Sequence, residues 1–473
     1  MKGIMAAAAL VASGLAAAVA RGDAGVVDGT HTYMPKGYVE PQEPAVREHL
    51  EWFRDQKLAL MVHFGIYSQM GIVESWPLVD NNVWARTLVD WADGDDLKRT
   101  YLSMKRSFNP VRFQPEVWAD AAERNGFRYL VFTTKHHDGF CMYDSKYTDF
   151  KITAPDCPFS SNPNADVVRA LYDAFRARGL GISCYFSKPD WHHPDYWDNC
   201  GIGWKTTPWP SYDVKEDPAR WERFRAYTRN QILELVRGYG KIDVLWLDGG
   251  HVKEQTGHGI RIGEIVAEAR RTQPWLIAAD RTAGGPCENV ITPEQEVPPQ
   301  PLAIPWESCI TMGTGLSYRF DDTYKSPREL IHLLVNVVAK GGNLALNVAP
   351  GPDGRLPRPA VERMDAMGAW LRANGEAIYG TRIRKPYCVT SLGGTTAFTG
   401  KDEKTYAIRL WSEGQHDVRR IRLPIENPAD VRCVTHLASG RTMRTRVEDK
   451  SLVFDLPPEV RTDAYADAFR CER

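Results

Sequence analysis

"KIDVLWLDGG" (Lys241–Gly250) runs an apolar stretch straight into a carboxylate and two glycines. Ile242–Asp248 reads as a strand buried on both faces, because its apolar residues are continuous rather than alternating. Six other runs share that texture: "LALMVHFG" (58–65), "YLVFTTKHH" (129–137), "LGISCYFS" (180–187), "WLIAADR" (275–281), "CITMG" (309–313) and "NLALNVAP" (343–350). Helical patterns separate several of them. "ADVVRALYDAFRARG" (165–179) ends in Gly, "PARWERFRAYTRNQILELVRGYG" (218–240) opens with Pro and ends in Gly, "IRIGEIVAEARRTQP" (260–274) stops at Pro, and "SPRELIHLLVNVVAKGG" (326–342) opens Ser-Pro. Strand–helix alternation over some 300 residues predicts an α/β fold with a parallel sheet, and about seven visible strands favour a (β/α)8-like barrel. An open doubly wound sheet is the rival, and no GxGxxG or GxxxxGK[ST] follows any strand to support it.

One more helix is expected at 358–380. Beyond it, short alternating runs such as "TYAIRL" (405–410) and "SLVFDL" (451–456) predict a small C-terminal β-sandwich. The expected organisation is a signal peptide (1–20), a leader segment (21–45), a barrel (46–381) and a sandwich (382–473). The signal rests on one Lys ahead of an Ala-rich stretch ending Ala-Val-Ala, which predicts export to periplasm or medium, with an uncleaved anchor as the rival. No other stretch is long and apolar enough to span a bilayer.

A net charge of -1 on 473 residues offers no electrostatic footprint for nucleic acid or anionic membrane. The nine cysteines show no CxxC pair and no Cys/His cluster at zinc spacing. The 15 tryptophans exceed what composition alone leads one to expect, and several adjoin polar residues at strand ends.

In a parallel barrel the reactive groups sit where strands end. Asp248, His63, His136, His137, Tyr185 and Arg281 are all placed there, and five polar strand ends on one face predict a pocket. Each has a plainer reading: Asp248 as a helix cap, His63 as a satisfied core histidine, Arg281 as an ion-pair partner. The His136–His137 pair could ligate a metal, but no carboxylate–His spacing supports that. No GxSxG or HExxH is present. Paired carboxylates remain, and hydrolysis of a glycosidic bond is their commonest use. Glu307 in "IPWESCITMG" is the first candidate for the second carboxylate, with Trp306 beside it to desolvate it. Glu74 in "GIVESWP" and Glu294 and Glu296 in "ENVITPEQEVP" compete with it.

These blocks, together with "YLVFTTKHHDGFCMYDSKYTDF", "YFSKPDW" and "HLLVNVVAKGGNLALNVAPGPDGRLP", resemble the family 29 glycoside hydrolases, the α-L-fucosidases, over about residues 45–380. The resemblance implies a barrel followed by a β-sandwich, and a retaining mechanism without metal or other cofactor. It implies a fucosylated oligosaccharide or glycoconjugate as substrate. Asp248 matches the nucleophile. His63, His136, His137, Tyr185, Trp246 and Arg281 match residues that hold fucose, joined here by Glu74, Trp76 and Trp306. The "WESC" block is similar to the branch preferring α-1,3/1,4-fucosides, in which Glu307 matches the acid/base. Leu316 stands where Trp is usual, and "ESWP" replaces the more common Glu-Trp pair. A related sugar such as an α-L-galactoside, or a non-catalytic sugar-binding protein on this scaffold, is the alternative.

Overall fold

Successive residues of a strand point to opposite sides of a sheet, so a run that is apolar throughout must be covered on both sides. The computed structural model describes residues 38–86, 93–281, 283–391, 394–414 and 418–472, and in it all seven apolar runs form strands. They are β1 (Leu58–Val62), β2 (Tyr129–Lys135), β3 (Gly181–Ser187), β4 (Val244–Asp248), β5 (Ile277–Asp280), β6 (Glu307–Thr311) and β7 (Asn343–Val348). They pair in parallel in the order β5-β4-β3-β2-β1-β7-β6. One set of side chains, including Ala59, Met61, Val131, Tyr185, Trp246, Ala279, Cys309 and Ala345, forms a cluster inside the curved sheet. The alternate set, including Leu60, Phe132, Ile182, Leu245, Leu247 and Leu346, packs outward with the helices.

The helices are α1 (Pro44–Gln56), α2 (Gly94–Ser103), α3 (Pro115–Arg124), α4 (Val167–Arg176), α5 (Pro218–Gly238), α6 (Ile262–Arg270), α7 (Pro327–Ala339) and α8 (Arg358–Asn374). Local chemistry starts them. Asp166 and Asp217 accept backbone N–H groups at the N-termini of α4 and α5, and Ser326 and Glu329 form a capping box on α7. Helix α1 begins within the stretch read as a leader. Its Leu50 and Phe53 join the barrel-interior cluster, closing the end where the strands begin.

Among the described residues no regular eighth strand closes the sheet. Residues 287–295 cross the gap between β5 and β6 instead. On one side Asn289 N–H donates to the Ala278 carbonyl (2.8 Å); on the other, Glu307 and Cys309 donate to Ile291 (2.8 Å) and Pro293 (3.0 Å). Pro293 has no N–H to give, so a continuous ladder cannot form there. The "ENVITPEQEVP" block, read from sequence only for its carboxylates, is thus the piece that completes the wall.

Beyond α8, strands β8 (Arg382–Ser391), β9 (Gly394–Lys401), β10 (Lys404–Leu410), β11 (Arg420–Leu423), β12 (Cys433–His436), β13 (Thr442–Arg444), β14 (Arg446–Glu448), β15 (Ser451–Asp455) and β16 (Ala466–Glu472) form two antiparallel sheets. Phe398, Trp411, Ile421, Leu423, Phe454 and Phe469 fill the space between them. The nine cysteines are unpaired. Among the described residues no helix is long and apolar enough to cross a membrane. The predicted signal segment 1–20 lies outside the described residues, as does the leader up to residue 37.

Candidate active site

Inward-facing positions at the carboxyl ends of the strands build one pocket. His63, Glu74, Trp76, His136, Tyr185, Trp246, Asp248, Arg281 and Glu294 line it, with Met61, Cys309 and Leu316 as its apolar surface. His137 stands beside it, its Nε2 3.7 Å from Asp248 Oδ2 and its ring edge-on to Trp76. The strand rule explains the set: Met61 lies two residues before His63, and Trp246 two before Asp248.

Asp248 is held from two sides. Tyr185 Oη donates to Oδ2, and Arg281 Nη1 donates to Oδ1 at 2.8 Å. Burial works to raise its pKa, but the Arg281 guanidinium and the Tyr185 hydroxyl outweigh it and hold the group well below the usual carboxylate range. Asp248 is therefore a buried anion on the pocket wall. Gly249 follows it at φ 84°, and a Cβ there would meet Pro189 Cδ at 2.2 Å. Only glycine lets the chain turn away at that point.

The histidines are neutral, because burial lowers all three, His137 to about 4. Their partners fix two tautomers. His63 Nδ1 lies 2.8 Å from Asn347 Oδ1, which can only accept, so His63 donates there and offers Nε2 as an acceptor. Ser187 Oγ donates to the Pro189 carbonyl and so accepts from His137 Nδ1 at 2.6 Å. His137 Nε2 is then an acceptor facing Asp248. His136 Nδ1 bonds Ser75 Oγ. Neutral imidazoles presenting lone pairs suit hydroxyl groups that donate.

Four carboxylates competed for the second role, and the structure separates them. Glu294 lies on the pocket wall and takes Arg281 Nη2, so Asp248 and Glu294 flank one guanidinium. Its side chain is 23% exposed. Glu74 also lines the pocket but is 1% exposed; burial raises it to about 7, and its Oε1 is a buried oxygen without a hydrogen-bond partner. Glu296 does not line the pocket. Glu307, the first candidate from sequence, does not line it either. It is the opening residue of β6, and in a parallel barrel strands open at the end opposite the pocket. Its partners are Tyr129 Oη and Trp246 Nε1, both inside the barrel. Trp306 is corrected for a related reason. One residue from Glu307, it points to the other face, into the outer core, where its indole packs on Gly342.

Sequence reasoning passed over Asn347, Ser187 and Ser75, which orient the histidines. Asn347 carried a signal: it is the polar residue near the end of an apolar run, as His63 and Asp248 are.

His136, His137 and Asp248 each bring one ligand atom within 4.8 Å of the others, so the three could hold a metal ion. The Arg281 guanidinium, bonded to Asp248, already supplies the positive charge that a metal would bring.

A family-level sequence profile described as alpha-L-fucosidase matches residues 29–376. Human tissue α-L-fucosidase is 28% identical over 455 residues, covering 92% of this chain and 91% of that protein. The solved structure of α-L-fucosidase isoenzyme 1 from Paenibacillus thiaminolyticus superposes with a TM-score of 0.74 at 29% identity, covering 90% of this chain and 99% of the other. Thermotoga maritima α-fucosidase gives 0.74 at 27% identity, covering 92% of this chain and 100% of the other. Structures of that protein include one with fucose and one with a mechanism-based inhibitor.

Proposed function

The chain belongs to the α-L-fucosidase family, and from that premise we propose that it releases terminal α-L-fucose from oligosaccharides or glycoconjugates by double displacement with retention. Asp248 attacks the anomeric carbon, forming a glycosyl-enzyme, while an acid protonates the departing oxygen. Water activated by the same group then frees the sugar. The observation that carries this reading is Arg281 gripping Asp248 and Glu294 at once. One guanidinium thus holds two carboxylates close together at the pocket, as a retaining pair, roughly 5 Å apart, requires.

We assign the acid/base to Glu294 rather than Glu307. In an exo-acting enzyme the leaving group points toward solvent, and at 23% exposure Glu294 is nearer the mouth than Glu74 at 1%. Glu74, His63, His136, His137, Trp76 and Trp246 hold the sugar. Arg281 and the Tyr185 hydroxyl disperse charge as Asp248 gives up its electron pair. Met61, Cys309 and Leu316 suit the C6 methyl of fucose and offer no strong donor for the extra hydroxyl of an α-L-galactoside.

Preference for α-1,3/1,4 linkages remains the finer proposal. It would be set by Leu316 and the loops at the mouth, since the block around Glu307 lies beneath the pocket. Export, resting on the N-terminal Lys and Ala-rich segment, is proposed on the same footing.

The deciding experiment follows p-nitrophenyl α-L-fucoside hydrolysis by ¹H NMR, beside Asp248→Ala. Initial appearance of the α-anomer, lost in the variant, is expected. First appearance of the β-anomer would overturn retention, and turnover by Asp248→Ala at the wild-type rate would overturn the nucleophile. Release compared among α-1,2-, α-1,3/1,4- and α-1,6-linked fucosides tests the linkage.

A further inference from the structure

Glu307 is a carboxyl group that the proposed reaction leaves unused, yet the barrel has built a dedicated setting for it. It sits one inward step below Cys309, which lines the pocket. It is 1% exposed. Tyr129 Oη donates to one of its oxygens, and Trp246 Nε1 donates to the other at 3.1 Å. Tyr129 is itself fixed by Asn343 Nδ2 (3.2 Å), which also donates to the Phe53 carbonyl of α1 at 2.7 Å. Burial of a carboxyl against neutral donors costs stability, and an apolar side chain of similar size would fill the space at lower cost. Packing alone does not explain a glutamate there.

What Glu307 holds is informative. The Trp246 indole lies flat against Tyr185, with centroids 5.0 Å apart and planes 19° apart. The Arg281 guanidinium lies 4.9 Å from the centroid of the same indole. Tyr185 and Arg281 both hydrogen-bond the Asp248 carboxylate. One ring therefore touches both supports of the nucleophile while lining the pocket.

We propose that Glu307 is a positioning residue of the sugar pocket: by accepting the Trp246 indole N–H it fixes the ring that aligns Tyr185 and Arg281 on Asp248. This deepens the fucosidase reading and rests on it. Glu307 touches neither the sugar nor the leaving group. Its effect passes through the N–H of Trp246.

The test is a double-mutant cycle with Glu307→Leu and Trp246→Phe, plus Glu307→Gln, on the full-length protein. Readouts are kcat and KM for p-nitrophenyl α-L-fucoside, the dissociation constant of free L-fucose, and the thermal midpoint. Glu307→Leu strands a buried N–H, and kcat/KM is expected to fall roughly 10–100-fold. Glu307→Gln keeps an acceptor for the indole and is expected to recover most of that loss. In the Trp246→Phe background, where no N–H exists, adding Glu307→Leu is expected to change kcat/KM by less than about 3-fold. Independent, multiplying losses would overturn the proposal. So would a loss in Glu307→Gln as deep as in Glu307→Leu, and azide rescue of that variant would return Glu307 to the acid/base role. If Glu307→Leu does not fold, Trp246→Phe against Glu307→Gln still decides. Wild-type turnover with losses that track only the thermal midpoint would sink positioning while leaving the fucosidase reading intact. A wild type that neither binds fucose nor cleaves the fucoside would sink both.

Discussion

At Asp248, burial and charge oppose each other, and charge wins. Arg281 and Tyr185 keep the carboxylate ionised against desolvation. At Glu74 and Glu307 burial wins, and each is raised to about 7. The sign for stability follows. A carboxyl whose folded pKa exceeds its unfolded value binds protons more tightly when folded. Its contribution is present at low pH and is lost as pH rises from about 4.5 through about 7. Each such group costs about 3 kcal/mol above that window, since one pKa unit is about 1.4 kcal/mol. Denaturant unfolding at pH 5 and pH 8 should therefore show a larger drop for wild type than for Glu307→Gln; equal drops would mean that Glu307 does not titrate there. A second residue-scale prediction separates the two pocket carboxylates. Glu294→Ala should lower turnover of a natural fucoside about 10²–10⁴-fold, as removal of an acid/base does. The aryl fucoside, whose leaving group needs little protonation, should suffer less, and azide should restore part of its rate. Glu74→Ala should depress both substrates alike. The opposite pattern would exchange their roles. Tyr185→Phe, which removes one hydrogen bond to a charged group, should cost kcat roughly 10–100-fold with folding intact.

At the scale of elements, the strands were legible because continuous apolar runs admit few other readings in an α/β chain. His63, Tyr185, Asp248 and Arg281 were legible with them, since each closes or follows such a run. Glu307 was not. Its place at the start of a strand sets it at the end of the barrel opposite the pocket, since β6 opens at Glu307 and the site forms where the strands end. Trp306 failed with it because neighbours on a strand face opposite ways. The closing segment 287–295 escaped notice because "CENVITPEQ", with Pro293 inside it, shows neither a continuous apolar run nor strand alternation. A position where an element and the site meet is Gly249. Its φ of 84° and the 2.2 Å approach to Pro189 predict that Gly249→Ala pushes apart the loops after β3 and β4. Strain of this kind costs about 1–3 kcal/mol, and Asp248 is the adjacent residue. Activity should fall further than stability does, measured as kcat/KM against thermal midpoint. A variant with lowered midpoint and unchanged kcat/KM would show that the loop absorbs the change away from the nucleophile.

For the molecule as a whole, the question is what the C-terminal sheets contribute, and the packing answers it. One face of the six-stranded sheet supplies Phe398 and Phe469 to the sandwich core. Its other face sends Ala397, Tyr406, Ile408, Ala466 and Ala468 into the same apolar cluster as α7 and α8. Polar contacts sit within that seam: Trp370 Nε1 donates to the Ala466 carbonyl at 2.7 Å, and Asn374 Oδ1 accepts from Ala468 N–H at 3.2 Å. Neither donor nor acceptor would keep its partner if the sandwich left. Helix α7 packs on β7, whose Asn347 orients His63, and α8 packs on α7, so the seam lies beyond the helix layer from the pocket. Short alternating runs announced a β domain in the sequence, but a strand covered on both faces by different partners cannot be told from one with a single wet face by pattern alone. The seam predicts that barrel and sandwich unfold together. Calorimetry of the full chain should show one transition, and a chain ending at residue 381 should aggregate, because α7 and α8 would expose their buried faces. A soluble, active 38–381 fragment would show instead that the barrel stands without its buttress.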